Sequence, residues 1–333
     1  MVVGNGTVKN KKGATIQYTL SIITVAHNRR DDVRRCLDSL LKSEFAEPFE
    51  IIVVDNASTD GTVEMIEEQF IDEVKLLKSP DNKMAAGGRN LGASIALGEY
   101  LLFVDSDNVV APNMASLLVQ GIRDLGGKAI VGPLMYYCQD PSRVWWSGAD
   151  INLWTSKTSY RREQPSSPVR MKVGHIPNVF ACHRSLYDKV DGFDEVYGVM
   201  FEESDFAERL RKMGNESYVI PQAITHHNVP LPDQRGKTLR AYGIENSLRA
   251  YLVGRNRLLY MRRHAGFWRW ICFLLSFLPL TTLYYLVLIL GERRLDIARS
   301  YMRGVAHGLF QGGFRGMVSG DRPRKVSRFA DDI

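Results

Sequence analysis

Four short apolar runs, closing on polar and mostly acidic or amide residues, constrain this chain more than any other feature. They are Tyr18–Val25, Glu50–Val54, a short one around Val74–Leu77, and Leu101–Val104. Each has the length and the β-branched or aliphatic content of a buried strand. Helical patterns separate them. After the first run, Asp31 or Asp32 can cap a helix whose Val33, Leu37, Leu40 and Leu41 recur at spacings of three and four. A second helix is expected over Thr62–Phe70. Residues 81–90, DNKMAAGGRN, are expected as a polar glycine-rich loop that leads into a small-residue helix, LGASIAL. This alternation predicts an α/β fold, a mainly parallel central sheet flanked by helices.

In such a sheet, ligands sit outside the carboxyl ends of the strands. Asn28, Asp55 and Asp105 all fall there. Asp105 and Asp107, one residue apart where the fourth run emerges, can jointly hold a hard divalent cation, which usually shares its shell with phosphate oxygens. An Asp/Asn-rich turn is the alternative for that stretch taken alone. Three strand ends carrying acids and amides on one rim favour the site.

With 333 residues the chain can fill one large domain or two smaller ones, and 45% hydrophobic content is that of an ordered globular protein. The formal charge of +6 is uneven: from Arg255 onward there are 14 Arg and Lys against 5 Asp and Glu, so the preceding part is slightly acidic. Nucleic acid is not an expected partner. Cys36, Cys138, Cys182 and Cys272 form no CxxC pair, which suggests neither a zinc site nor a disulfide framework. Residues 1–17 are polar and weakly basic without an apolar core, and are expected as a flexible lead rather than a signal peptide.

In sequence order, TVAHN, VVDNASTDGT, GGRNLGA and FVDSDN resemble the successive motifs of the family 2 glycosyltransferases, which have the GT-A fold. The resemblance runs on through VDGFDE, FEESDFAERLRKMG and His226-His227, and extends to membrane-associated rhamnosyltransferase-like members. It implies a nucleotide-sugar half over about 18–110 and an acceptor half over about 111–249. Asp55, with Ala26 and Asn28 nearby, would then bind the base and ribose of a UDP- or dTDP-linked sugar. The alternative is that Asp55 and Asp60 only cap turns and the next helix. Arg89, read as lying in the loop, would offer planar donors to the diphosphate, with a solvated surface arginine as the alternative. Asp107 would ligate Mg²⁺ or Mn²⁺, and Asp105 would contact the ribose or a coordinated water.

Trp145 and Trp146 lie in the acceptor half, and at least one of them is expected in the core. An inverting transferase needs a general base for the acceptor hydroxyl. Relatives usually read Glu-Asp where this chain has Glu202-Glu203, so the resemblance assigns the base to Glu203, with Asp205 as second choice and helix capping as the bland role. A strand is expected at Glu216–Ile220, followed by a loop in which His227, or else His226, completes the metal shell. Beyond it, Val229–Tyr242 is expected as a flexible loop over the acceptor.

Residues 250–333 are expected as a membrane-associating helical region with a basic tail. Ala250–His264 mixes aliphatic and basic residues as an interfacial helix would. Trp270–Gly291 carries no charge and is long enough to cross a bilayer, while Pro279 permits a kink or a re-entrant hairpin. A single span, a hairpin and a flat arrangement on the cytosolic leaflet stay open, and a buried helix of a homo-oligomer is the soluble alternative.

The expected function is an inverting, metal-dependent glycosyltransferase acting at the cytoplasmic face of the membrane on a polyprenyl-linked glycan or surface polysaccharide. The alternatives are a polyprenyl-phosphate sugar synthase and a non-catalytic nucleotide-sugar-binding scaffold.

Overall fold

The structure, a computed structural model, describes residues 2–3, 7–9, 15–232 and 238–310. The basic RPRKVSR tail and residues 233–237 of the expected acceptor loop lie outside the described residues. Where a lead was expected, β1 (Val2–Val3), β2 (Thr7–Lys9) and β3 (Thr15–Gln17) form a small antiparallel sheet. The β-branched residues in them favour strands.

The described residues form two compact units. The first comprises described residues up to Ala149, with Tyr160–Asp194 and Phe206–Val229. Its leading elements are β4 (Leu20–Ala26), α1 (Arg30–Leu40), β5 (Phe49–Asp55), α2 (Thr62–Gln69), β6 (Lys75–Lys78), α3 (Met84–Ile95) and β7 (Tyr100–Val104). β6, β5, β4 and β7 lie side by side in that order, all parallel. The first of these strands is therefore central, and the order reverses between β4 and β7, where an open α/β sheet makes its ligand crevice.

Residues 84–90 are helical rather than loop. The glycines of α3 serve close packing: a Cβ at Gly88 would lie 2.6 Å from Val25 Cγ1, and one at Gly92 would lie 2.5 Å from Ile23 Cγ2 and 3.1 Å from Val54 Cγ2. α3 is thereby seated directly on the central strands, and it carries Arg89.

Beyond β7 the sheet becomes mixed. β8 (Asn108–Val110), α4 (Met114–Asp124), β9 (Ala129–Tyr137) and β10 (Val144–Trp146) follow. β11 (Gly148–Ile151) and β12 (Thr158–Arg161) make a separate ribbon; β13 (Met171–Val173), β14 (Val179–His183) and α5 (Arg184–Lys189) come next. β14 inserts antiparallel between β7 and β9. α6 (Glu202–Arg211) precedes β15 (Glu216–His227), which runs parallel to β9 and antiparallel to β8 and β13. β15 is much longer than expected. A register shift between Ile220 and Ile224 accommodates Pro221, so both histidines stand on a strand and not in a loop.

The second unit comprises Asp150–Ser159, Glu195–Asp205 and the described residues from Pro230 on. It contains α7 (Thr238–Ala241), α8 (Ser247–His264), α9 (Phe267–Cys272), a π-turn at Phe273–Phe277, α10 (Leu278–Gly291) and α11 (Leu295–Phe310). α8 is a core helix rather than an interfacial one: Arg255, Asn256 and His264 are buried along with its aliphatic residues. It meets α11 so closely that a Cβ at Gly304 would fall 2.1 Å from Tyr251 O. The apolar stretch Phe267–Gly291 forms one continuous helical rod without a hairpin. Pro279 sits in the first turn of α10, where the π-turn before it absorbs the missing N–H.

The packing of α3 on β4 is directly testable. Gly92→Ala gains about 1 kcal/mol of helix propensity, but overpacking against Ile23 costs about 1–3 kcal/mol. A net loss of stability is expected in urea unfolding.

Candidate functional site

The rim is built from the turns after β4, β5 and β7. β4 ends at Ala26, whose carbonyl accepts from Asn56 N at 2.8 Å. Asn28 then adopts a left-handed φ of +50°, which asparagine tolerates better than most residues. Its Oδ1 accepts from Thr59 N at 2.7 Å and its N–H donates to Ser58 Oγ at 3.0 Å, locking the two turns together.

Asp55 and Asp60 have separate roles. Asp60 caps: its carboxylate accepts from Arg30 N and Thr62 N, each at 3.1 Å. Burial raises its pKa, but the Thr62 and Arg30 hydrogen bonds outweigh that and hold the carboxyl below the usual range. Asp55 is buried, and its Oδ2 accepts from Ser58 N at 3.1 Å, while Oδ1 is buried with no hydrogen-bond partner among the described residues. A buried carboxylate oxygen left in that state is costly unless something else donates to it. Its complement is an N–H donor.

Arg89 is no surface residue. It is 1% exposed on α3, its Nη2 donates to Asp105 Oδ1 at 2.7 Å, and its guanidinium stands 5.5 Å from the Phe193 ring centroid. Its hydrogen bond orients the Asp105 carboxylate.

Asp107 meets His227 because β8 pairs with β15 in a register that sets Asn108 opposite His227. His227 Nε2 lies 3.3 Å from Asp107 Oδ1 and 3.4 Å from Asn178 Nδ2, and the ring packs edge-on to Trp145 at 4.2 Å. Burial pushes the Asp107 carboxyl up; the His227 hydrogen bond and charge, with Arg29, outweigh it and keep the pKa below the ordinary value. Trp146 is the core tryptophan of the pair, 2% exposed.

His226 does not join this group. Neighbouring strand residues point to opposite faces, and its ring sits beside Tyr136 at 5.9 Å, where burial lowers its pKa. Among the described residues no cluster of three or more His, Cys, Asp and Glu is placed to hold a metal. One carboxylate oxygen and one imidazole nitrogen do converge, a donor pair that suits a divalent cation only if it draws most of its ligands from elsewhere.

Glu203 and Asp205 stand in the first turn of α6, in the second unit. Glu203 is half-buried. Asp205 is not a base: it is fully buried, and its Oδ1 takes His264 Nε2 at 2.8 Å, Arg263 Nη1 at 3.1 Å and the Tyr197 hydroxyl at 3.3 Å. A general base must reach the proton it removes, and this carboxylate is committed to α8. Asn178, and the contacts of Asn256, are not marked in the sequence. Nothing local marks Asn178, and the Arg255-Asn256 pair is visible as a dipeptide, but its partners are 56–59 residues away.

Residues 21–189 match the model of a family described as Glycosyl transferase family 2. Over 125 residues the chain is 31% identical to glycosyltransferase GlyG of Streptococcus pneumoniae, covering 37% of this chain and 40% of that protein's length. Over 294 residues it is 24% identical to the N-acetylglucosaminyl-diphospho-decaprenol L-rhamnosyltransferase of Mycobacterium tuberculosis, covering 75% of this chain and 86% of the relative. Among solved structures it is similar to the mannosyltransferase PcManGT from Pyrobaculum calidifontis, in complex with GDP-Man and Mn²⁺, at TM-score 0.54 and 18% identity over 88% of this chain and 87% of that one. That likeness, with the strand order on the page, gives the architecture as GT-A. The family match extends over half of the sequence, from the second residue of β4 to the last of α5, and the chain belongs to glycosyl transferase family 2.

Proposed function

We propose that the chain is an inverting glycosyltransferase that uses a nucleoside-diphosphate sugar, UDP- or dTDP-linked, and a polyprenyl-linked glycan as acceptor. The pairing of Asp107 with His227, on the rim that also holds Asp55, carries this reading. Asp55 Oδ1 accepts an N–H of the nucleobase. Asp105, oriented by Arg89, addresses the ribose. Asp107 and His227 are the residues that would hold Mg²⁺ or Mn²⁺, and when bound such a cation neutralises the departing diphosphate. Glu203 removes the acceptor proton as the hydroxyl oxygen bonds to the anomeric carbon and the glycosyl–phosphate bond breaks, its electron pair leaving on the phosphate oxygen. The lipid-linked acceptor is supported by the substrate named for the Mycobacterium relative.

The apolar rod supports placement at a membrane surface. Phe273 and Ile289 are fully buried within the second unit, whereas Leu275, Leu280, Leu283 and Val287 are 61–76% exposed. A helix with one face packed on protein and the other bare and apolar fits the interfacial plane of a bilayer. Arg269 and Arg293 stand at its two ends, suited to the anionic cytosolic leaflet.

Three results are expected. Thermal-shift screening against UDP-, dTDP- and GDP-sugars finds a nucleotide whose stabilisation needs Mn²⁺ or Mg²⁺, and Asp107→Asn loses that metal requirement. Glu203→Gln retains the stabilisation but lowers transfer to N-acetylglucosaminyl-diphospho-polyprenol about 10²–10⁴-fold; full turnover onto that sugar hydroxyl would instead remove Glu203 from the base's role. Replacing Leu280, Leu283 and Val287 together with Glu abolishes flotation with phosphatidylglycerol vesicles, since each buried aliphatic side chain is worth about 1.5–3 kcal/mol.

A further inference from the structure

The backbone immediately before Glu202-Glu203 is strained. Met200 and Phe201 both take left-handed conformations, at φ +71° and +73°. Such non-glycine conformations are disfavoured and persist only where their surroundings over-determine them. One side chain bridges the carbonyls of this segment. Asn256 Nδ2 donates to the carbonyls of Tyr197 at 2.8 Å, Val199 at 3.0 Å and Met200 at 2.9 Å. The amide is itself held, because its Oδ1 accepts from Arg255 Nε at 3.0 Å, and the Arg255 guanidinium also donates to the Val196 carbonyl.

Asparagine is a poor helix-interior residue because its amide competes for backbone groups. At zero exposure in the middle of α8, Asn256 turns that tendency outward, onto another segment. The same helix grips the chain again just past the glutamates, where His264 and Arg263 hold Asp205. Glu202 and Glu203 thus lie between two anchor points on α8, the carbonyls of 197–200 before them and Asp205 after.

We infer that Asn256 is a positioning residue for Glu203: it holds the strained 197–201 backbone that sets where the first turn of α6 begins, and so where the Glu203 carboxylate stands. This rests on the reading of Glu203 as the base. A segment needing only to be connected would carry no such strain, and the interior of a packed helix would not otherwise favour a buried amide.

Asn256→Asp and Asn256→Gln separate the possibilities. Aspartate keeps the acceptor for Arg255 but turns a carboxylate toward three carbonyls; glutamine keeps the donor on a longer arm. With the nucleotide sugar found by thermal shift and N-acetylglucosaminyl-diphospho-polyprenol in detergent, Asn256→Asp is expected to lower kcat about tenfold or more, with donor KM within about twofold. Deuterium uptake over 196–203 should rise in the same variant, and Asn256→Gln should recover part of the lost kcat. The proposal is overturned if kcat stays within twofold of wild type, or if kcat, donor KM and melting temperature deteriorate together, which marks a merely structural amide. Glu203→Gln, assayed in parallel, judges the base separately: undiminished turnover there removes Glu203 from the role, whatever Asn256 does.

Discussion

The antiparallel pairing of β8 with β15 is the constraint on which the candidate site depends. β8 is only three residues long, yet it determines which histidine meets Asp107. A slip of one residue would turn the opposite face of β15 toward Asp107 and bring His226 there instead of His227. The register survives because β15 is held along both edges, and because the irregularity at Pro221 lets it resume pairing with β9 as far as Tyr137. A regular strand could not hold a proline at that depth in the sheet without losing a ladder bond.

Buried charge recurs wherever this protein fixes a functional group. Arg89 in the first unit, and Asp205 with His264 in the second, are buried, while their partners Asp105 and Arg263 keep partial contact with water. Desolvation cancels most of what such pairs gain, so they are weak contributors to stability. Their value is directional. A guanidinium fixed under Phe193 leaves Asp105 few orientations, and a carboxylate held by α8 leaves the start of α6 few positions.

The sequence was most informative where local pattern and chemistry agree. The β4–β7 alternation, the strand tips carrying Asn28, Asp55 and Asp105, and the acidic start of α6 all follow from short-range periodicity and turn chemistry. What stayed illegible needed a partner distant in the chain. Gly88 read as part of a loop because its reason, close approach to Val25 and Asn56, lies on other segments of the chain. Pro221 ended β15 too early, since a register shift has no signature of its own. Asp205 resembled a second candidate base until His264 and Arg263 were seen to occupy it, and α8 looked interfacial because its buried polar residues find their partners only in the folded unit.

The apolar rod shows the same limit and its remedy. Length and hydropathy cannot distinguish a membrane span from a helix lying on a surface, since both require an uncharged stretch of similar length. The proposed interfacial placement rests instead on the pattern of burial. A helix passing alone through a bilayer needs lipid on every side, but Phe273 and Ile289 already spend one face on the core that contains Tyr260 and Met261 of α8 and Ile297 and Val305 of α11. Those helices also carry buried Arg255 and Asn256. Drawing the rod fully into hydrocarbon would strip its packed face from a polar neighbour that cannot follow; in the interfacial placement proposed above, the bilayer would take the exposed face and the protein would keep the other.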